Sequence, residues 1–281
     1  MLQSVNSLYL ITIFSYTLLM NRQLETLKQI ALDAGSIIKE GYHTQKEIHH
    51  KGTVDLVTQY DVKTEAFVIE QLQTHFPDHT LIGEESFDKS KGFKHEKAIY
   101  IDPIDGTTNF VHGIPHLGIS LGVWEEGVPT LAVVYNPILD ELFYASKGEG
   151  AYLNDTRLSV SKQESLQQSL IGTGFPYAKV NKGLEHDWVL KTLTNLLANI
   201  RDIRRLGAAA IDLCYLAQGK IDAFYEIDLQ PWDVSAGILI VLEAGGKVTN
   251  AIGDTFSLES KSIVDSTSRV HYFLLEYIED I

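Results

Sequence analysis

The stretch "AIYIDPIDGTTNF", residues 98–110, is the strongest indication of the fold and of the site in this chain. A run of apolar residues ends at Asp102, and a second aspartate, Asp105, precedes a glycine, two threonines and an asparagine. Pro103 fixes the backbone after Asp102 and removes an N–H, while Gly106 lets the backbone approach a ligand closely. This order predicts that a buried strand delivers two carboxylates to one site.

The residues that follow predict a phosphate-binding helix start. Thr107, Thr108 and Asn109 are typical of the opening of a helix, whose first N–H groups attract an anion. The Ile104 carbonyl can turn toward the same site. A turn with an Asx cap is the alternative interpretation of Asp-Gly, and this stretch alone leaves the two open.

Acids also end strands or open helices elsewhere in the chain. They are Asp61, Glu84, Glu85 and Asp233. Buried carboxylates without partners are costly, so several in one place imply a cation. No histidine–cysteine cluster accompanies them, and an all-oxygen ligand set suits Mg²⁺ or Mn²⁺. We interpret His112 and His116 as loop residues rather than metal ligands, because a glycine and a proline lie between them.

The composition excludes some classes of protein. The chain has 281 residues, 44% of them hydrophobic, and a net charge of −14, which argues against the basic face of a nucleic-acid-binding protein. A negatively charged substrate stays compatible, because bound cations invert the local sign. The single cysteine, Cys214, allows no internal disulfide and no cysteine-based zinc site. We predict that it packs inside a helix, in a reducing, cytoplasmic setting.

The N-terminal residues 1–20 differ from the rest. The stretch "SLYLITIFSYTLLM" (7–20) is apolar and uncharged, short for a membrane span, and without the basic start of a signal peptide. We favour an upstream extension that is not native, and the alternative is a tethering or unusual signal segment. Residues 21–281 are predicted to form one catalytic domain, with no membrane partner.

The remaining pattern mixes helices and strands and predicts an α+β fold with helices packed on sheets. Helices are predicted at 23–40, 62–75, 184–199, 231–246 and within 205–219 and 262–280. Strands are predicted at 80–86, 97–101, 169–176 and 221–227, at the start of 262–280, in an extended segment at 50–61, and in two pairs at 118–137 and 141–154.

Three motifs together resemble the signatures of the inositol monophosphatase family. They are "GEES" (83–86), "DPIDGTTNF" (102–110) and "WDVSAG" (232–237), in the family's order and at similar spacing, and the resemblance covers about residues 22–280. It implies a layered αβαβα sandwich of the inositol monophosphatase and fructose-1,6-bisphosphatase type. It also implies magnesium-dependent hydrolysis of a phosphate monoester, inositol monophosphate first.

The resemblance assigns the metal ligands residue by residue. Glu84, Asp102 and the Ile104 carbonyl would hold one Mg²⁺, and Asp102, Asp105 and Asp233 a second. A third, weaker ion would rest on Glu84 and water, with Mn²⁺ as a substitute. In two-metal chemistry one ion activates water and the other stabilises the leaving oxygen, so no covalent enzyme intermediate is needed.

The resemblance also assigns catalytic and substrate-binding roles. Thr107, paired with Asp61, would orient and help deprotonate the attacking water. Glu226 would accept hydrogen bonds from substrate hydroxyls. The implied catalytic residues are Thr107, Asp61 and Glu84. The implied substrate-binding residues are Asp105, Gly106, Thr107 and Glu226.

Other readings stay open. The string "GTTNF" disfavours a phosphoadenosine phosphate phosphatase without settling the sugar, so a fructose-1,6-bisphosphatase remains the other enzymatic alternative. A scaffold role alongside catalysis belongs to a different class. The family implies a lithium-sensitive homodimer.

For Arg204 and Arg205 we favour a structural ion pair or a subunit contact over substrate binding, and we expect Trp232 to pack against and orient Asp233.

Overall fold

The computed structural model describes residues 2–50, 56–176 and 183–281. Its helices are α1 (Leu2–Tyr42), α2 (Gln59–His75), α3 (Thr107–His112), α4 (Leu184–Leu197), α5 (Ala209–Ala217), α6 (Pro231–Glu243) and α7 (His271–Leu275). Its strands are β1 (Ile48–His50), β2 (Leu56–Thr58), β3 (Thr80–Gly83), β4 (Lys97–Asp105), β5 (Gly118–Glu125), β6 (Val128–Asn136), β7 (Glu141–Ser146), β8 (Gly150–Leu153), β9 (Thr156–Arg157), β10 (Leu170–Thr173), β11 (Asp202–Arg204), β12 (Ala223–Ile227), β13 (Gly246–Thr249) and β14 (Ser262–Thr267).

Two large sheets organise the chain. The first has seven strands in the order β3-β4-β5-β6-β7-β8-β9, and the second has five in the order β11-β10-β12-β14-β13. In the first sheet only β3 and β4 are parallel. In the second, β11, β10 and β12 are parallel, so their carboxyl ends meet at one edge. Strands β1 and β2 form a separate antiparallel pair.

Three hydrophobic clusters join the layers. The first packs α1 and α2 on the outer face of the seven-stranded sheet, through residues such as Leu27, Val68 and Ile101. The second fills the space between the two sheets around α5 and α6, and the third packs α4 and α7 on the far face of the five-stranded sheet. The layers therefore alternate as αβαβα, which confirms the predicted α+β sandwich.

Strand β4 is longer than the apolar pattern predicted. It continues from Lys97 to Asp105 and is buried from Ala98 onward, rather than ending at residue 101. Its pairing with β5 shifts register between Asp102 and Asp105. Pro103 lies within this irregular part of the strand. Because regular pairing is already interrupted there, the missing N–H of proline costs no hydrogen bond between the strands. The two aspartates are therefore part of the strand, at a distortion that alters how their side chains point.

Helices α1 and α2 also begin earlier than predicted. Helix α1 starts at Leu2 instead of residue 23, because helical backbone continues through the apolar stretch. Helix α2 starts at Gln59, so Asp61 lies in its first turn and does not end an extended segment. The Thr58 side chain caps the helix, and the Asp61 carboxylate accepts a hydrogen bond from the Thr58 N–H. Together these two bonds form a capping box. Residues 51–55 of the predicted segment 50–61 lie outside the described residues.

Other boundaries follow local chemistry. The predicted hairpin at 118–137 is confirmed, with Glu126 and Gly127 both at positive φ between β5 and β6, as a tight two-residue turn requires. Helix α6 ends at Glu243 rather than at residue 246, and Gly246 opens β13, a strand that the sequence pattern did not predict. No helix in the described part of the chain is both long and apolar enough to cross a membrane.

Candidate active site

One cavity of about 410 Å³ opens where β3 and β4 end and where α3, α5 and α6 begin. The predicted residues that line it are Glu84, Asp102, Ile104, Asp105, Gly106, Thr107, Glu226 and Asp233. Asp61 lies directly behind Thr107, to which it is hydrogen bonded. The structure thus brings together every residue predicted for the site, from widely separated parts of the sequence.

The parallel pairing of β3 and β4 places Glu84 beside Asp102. Gly83 is in register with Ile101, and the Glu84 N–H donates to the Ile101 carbonyl at 3.1 Å. Glu84 and Asp102 are the residues immediately after this pair, so they lie side by side at the end of the two strands. The motif "GEES" contributes to the cavity through this register.

Asp102 is the electrostatic centre of the carboxylates. Its side chain is buried, and its Oδ1 accepts the Ile104 N–H at 3.0 Å. Burial raises the pKa of Asp102 well above its ordinary value, and the nearby charges of Glu84, Asp105, Asp233 and Asp61 raise it further. Each of these four carboxylates is therefore close enough to repel Asp102, and a cation among them would relieve that repulsion.

Asp105 is held by the start of helix α5. Its two carboxylate oxygens accept the N–H groups of Ala209 at 3.2 Å and Ala210 at 2.8 Å. A helix N-terminus favours an anion, yet burial, followed by the charge of Asp212, raises the pKa of Asp105 to about 7. Asp105 therefore couples β4 to α5 across the space between the two sheets.

Asp233 is positioned by helix α6. Pro231 is the first residue of the helix, and Asp233 lies in its first turn with Oδ2 accepting the Gln230 N–H at 2.7 Å. The preceding Trp232 is buried and packs edge-on against Phe87 and Phe93. The packing expected for Trp232 is confirmed, and it fixes the first turn of α6.

A buried hydrogen-bond chain links Thr107 to Asp61. The Thr107 hydroxyl lies 3.0 Å from Asp61 Oδ1 and 3.1 Å from the Ile104 carbonyl. The other oxygen of Asp61 accepts the Thr58 N–H at 2.8 Å and the Thr58 hydroxyl at 2.6 Å. Burial raises the pKa of Asp61, against these hydrogen bonds. Asp61 is therefore fixed in place, with one oxygen directed at the Thr107 hydroxyl.

Gly106 allows the chain to turn from β4 into α3. Its φ is 88°, and an added Cβ would lie 3.0 Å from the Ala208 Cβ and 3.1 Å from the His116 carbonyl. A side chain here would be strained and crowded. Helix α3 starts at the next residue, as the sequence predicted.

The donors around the cavity are suited to a hard cation. They are carboxylate oxygens and the Ile104 carbonyl, and no histidine or cysteine is among the described residues that line the cavity. As the side chains stand, no three His, Cys, Asp or Glu side chains within 2–50, 56–176 and 183–281 form a metal-binding cluster. Asp102, Asp105 and Asp233 each direct an oxygen to a backbone N–H instead. The set fits Mg²⁺ in chemistry, and the ligand assignment stays a prediction.

The opposite side of the cavity contains Glu226, which was predicted to bind substrate, together with residues that the sequence did not single out for function. We call Gly174, Phe175, Arg205 and Glu226 the recognition wall; they lie at the carboxyl ends of β10, β11 and β12. We call Glu84, Asp102, Asp105 and Asp233 the acidic wall. The parallel order β11-β10-β12 brings Phe175 and Arg205 to the same sheet edge as Glu226, and no local sequence motif signals that order.

The two neighbouring arginines have different surroundings. Arg204 forms the expected ion pair, with Asp202 at 2.7 Å, on the surface. The interpretation of Arg205 as a structural or subunit-contact residue did not anticipate its place in the cavity lining. Successive residues of a strand point to opposite sides, so the two side chains separate at the end of β11.

Three other residues that the sequence analysis interpreted lie outside the cavity lining. His116 is buried on the loop after α3, with Nε2 2.9 Å from Asp212, and does not line the cavity. His112 is the exposed last residue of α3, so its predicted place in a loop was wrong. Cys214 is buried in α5, as predicted for a packing residue.

The layered αβαβα fold and its cavity of carboxylate and carbonyl oxygens define the class of protein, one whose donor set is suited to a hard cation. The comparisons with known proteins make the class specific. The model of the inositol monophosphatase family matches residues 20–281. The chain belongs to the inositol monophosphatase family.

Three relatives illustrate the similarity. Inositol monophosphatase 1 of Solanum lycopersicum is 39% identical over 266 residues, which cover 92% of this chain and 97% of the relative. The crystal structure of the extragenic suppressor protein suhB of Bartonella henselae has a TM-score of 0.84 at 36% identity, covering 92% of this chain and 99% of that one. The crystal structure of SaIMPase-II with inositol monophosphate bound has a TM-score of 0.75 at 27% identity, covering 90% and 92%.

Proposed function

We propose that this protein is a magnesium-dependent phosphatase that hydrolyses a phosphate monoester, with inositol monophosphate as the first candidate substrate. The observation that carries the proposal is the gathering of Glu84, Asp105, Asp233 and Asp61 around the buried Asp102. A protein gains no stability from concentrating unneutralised charge in this way. The family match and the relative with inositol monophosphate bound support the reaction and the substrate class.

The acidic wall is proposed to hold two to three Mg²⁺ ions, with Mn²⁺ as a substitute. Glu84, Asp102 and the Ile104 carbonyl would hold one, and Asp102, Asp105 and Asp233 another. When bound, such ions lower the pKa of water and neutralise charge on the phosphate and the leaving oxygen. The chain itself fixes the spacing of the ligands through the β3–β4 register and the first turn of α6.

Thr107 and Asp61 are proposed to handle the proton of the attacking water. The Thr107 hydroxyl is within hydrogen-bond distance of Asp61 Oδ1, so it can accept a hydrogen bond from water while it donates to the carboxylate. This arrangement orients a water and offers a path for its proton. Because the attacking group is water, no side chain of the protein has to become phosphorylated.

The substrate is proposed to lie between the two walls. The backbone at Gly106 and Thr107, with Asp105, would bind the phosphate at the start of α3. Glu226 lines the opposite side, where it can accept hydrogen bonds from hydroxyls of the leaving polyol. A homodimer, lithium inhibition and a cytoplasmic location belong to this proposal as properties that the family resemblance and composition suggest.

A panel of phosphate monoesters tests the proposal. Phosphate release is measured with Mg²⁺ for inositol monophosphate, a hexose monophosphate, fructose 1,6-bisphosphate and phosphoadenosine phosphate. We expect the highest kcat/KM for inositol monophosphate. A higher value for one of the last two would replace the substrate assignment with the corresponding alternative, and no release from any of them would contradict the enzymatic proposal and leave a scaffold role.

A further inference from the structure

The recognition wall places one cation in an otherwise acidic cavity. Among the lining residues that the structure describes, Arg205 is the only lysine or arginine. Its guanidinium lies over the Phe175 ring, 5.6 Å from the ring centroid. An arginine stacked on an aromatic face is restrained in orientation by that contact. Arg205 is thus fixed by the end of β10 while it extends from the end of β11.

Two carboxylates are in electrostatic range of this arginine. Burial raises the pKa of both Glu226 and Asp212, and the charge of Arg205 acts in the opposite direction on each. Asp212 has a second partner, because it is hydrogen bonded to His116 at 2.9 Å. The charge of Arg205 favours the ionised form of Glu226, whereas the charges of Asp233, Asp212 and Asp105 oppose it.

Glu226 has little freedom to move away from this position. It is 7% exposed, and its carboxyl group fills the space in which a side chain at residue 174 would begin. The Gly174 backbone, just after β10, and the Glu226 carboxyl group are therefore in close contact. The buried carboxylate therefore lies against the Gly174 backbone in the same cavity lining as Arg205.

We propose that Arg205 is a positioning and specificity residue, which keeps the Glu226 carboxylate ready to accept hydrogen bonds from hydroxyls of the leaving group. This inference rests on the proposed function. Arg205 then matters for substrates that carry hydroxyls next to the ester and not for substrates that lack them. If Arg205 instead attracted the phosphate group itself, its loss would weaken binding of every phosphate monoester equally.

The test compares Arg205→Gln with Arg204→Gln, a matched control whose arginine pairs with Asp202 on the surface. KM and kcat are measured for inositol monophosphate and for propyl phosphate, which has no hydroxyl. For Arg205→Gln we expect KM for inositol monophosphate to rise about 10-fold, the loss of one weakened charge-assisted hydrogen bond, with kcat and the KM for propyl phosphate little changed. Arg205→Lys should recover part of the loss, since it restores the charge without the stacked plane.

A double-mutant cycle with Glu226→Gln tests whether Arg205 acts through Glu226. In the Glu226→Gln background, Arg205→Gln should have no further effect on KM for inositol monophosphate. Equal losses on both substrates, fully additive effects in the cycle, or no change in Arg205→Gln would each overturn the inference. If the wild-type protein hydrolyses neither substrate, the proposed function fails instead, which separates the two outcomes.

Discussion

The acidic wall and the recognition wall face the same cavity but are built differently. The acidic wall combines the ends of two parallel strands with a helix start. Asp102 and Asp105 are buried in it, and Glu84 and Asp233 are half-buried. The recognition wall combines three parallel strand ends, a stacked arginine and one buried carboxylate. We infer a division of labour, in which the acidic wall governs metal dependence and turnover and the recognition wall governs the choice of leaving group.

The largest effect is expected on the acidic wall. In Asp233→Asn the remaining amide oxygen can still accept the Gln230 N–H, which Asp233 accepts at 2.7 Å, so helix α6 should survive. The lost charge should raise the Mg²⁺ requirement and reduce turnover to the background of the assay. Phosphate release is measured across a Mg²⁺ titration, with thermal unfolding as a check of the fold.

Asp187→Asn is the control, because Asp187 lies in the first turn of α4 and outside the cavity lining. It should behave like the wild type in both measurements. Normal Mg²⁺ dependence in Asp233→Asn would remove Asp233 from the metal site and break the distinction between the walls.

The next largest effect is expected for Thr107→Ala, which distinguishes proton transfer from metal binding on the side of the cavity that contains the acidic wall. Thr107→Ala removes the hydroxyl that lies 3.0 Å from Asp61 but no carboxylate. We expect kcat to fall by roughly 10²–10⁴-fold, the range for a lost general acid–base contact, at nearly unchanged Mg²⁺ affinity. Thr107→Ser keeps the hydroxyl and should retain most of the rate. A variant that loses Mg²⁺ affinity but keeps its rate at saturating Mg²⁺ would show that Thr107 has a different role.

The acidic wall was largely predictable from sequence, and the recognition wall was not. The acids of β3, β4 and α6 occur in short motifs in which the local order of residues already determines the geometry. Asp61 was predicted in the wrong element, since its capping bond to Thr58 extends α2 toward the N-terminus. The length of β4 was underestimated, because a proline and two aspartates do not look like strand residues even though they are buried.

Arg205 shows why the recognition wall could not be predicted from the sequence. Whether Arg204 or Arg205 faces the cavity depends on the register of β11, a strand of three residues. Its stacking on Phe175 depends on β10 lying next to β11, and that neighbour relation is a property of the sheet rather than of either segment. Only Glu226 was assigned on this wall, and that assignment came from the family resemblance.

A smaller effect concerns an ionisable group buried outside both walls. His271 is fully buried, between the Ser266 hydroxyl at 2.7 Å and the Thr249 hydroxyl at 2.9 Å. Burial, with a smaller effect of Lys247, lowers its pKa from 6.5 to about 4. Below pH 6.5 the unfolded chain therefore binds a proton that the folded chain does not, so the free energy of unfolding should fall as the pH drops from 6.5 toward 4.

Urea unfolding of the wild type and His271→Gln at pH 7 and pH 5 measures this effect. The variant should be less stable at pH 7, and its stability should depend less on pH. His75→Gln, at an exposed position at the end of α2, should keep the wild-type pH dependence. A difference between the wild type and His271→Gln that is the same at both pH values would contradict the assignment.

The smallest effect is expected at the N-terminus. A chain that begins at Met20 keeps Met20, Leu24 and Leu27, which are buried against the seven-stranded sheet, and should fold and hydrolyse substrate normally. A chain that begins at Lys28 loses these contacts and should unfold at a lower temperature. Loss of solubility or rate in the chain from Met20 would show that residues 1–19 contribute to the domain.

The most direct test of the account is the dependence of phosphate release on Mg²⁺ in the unaltered protein. Release from inositol monophosphate is measured in excess EDTA and again after Mg²⁺ is added in excess over the chelator. If the acidic wall is a metal site, release stops in EDTA and returns with Mg²⁺. Full release in excess EDTA would contradict the metal assignment and with it the division between the two walls.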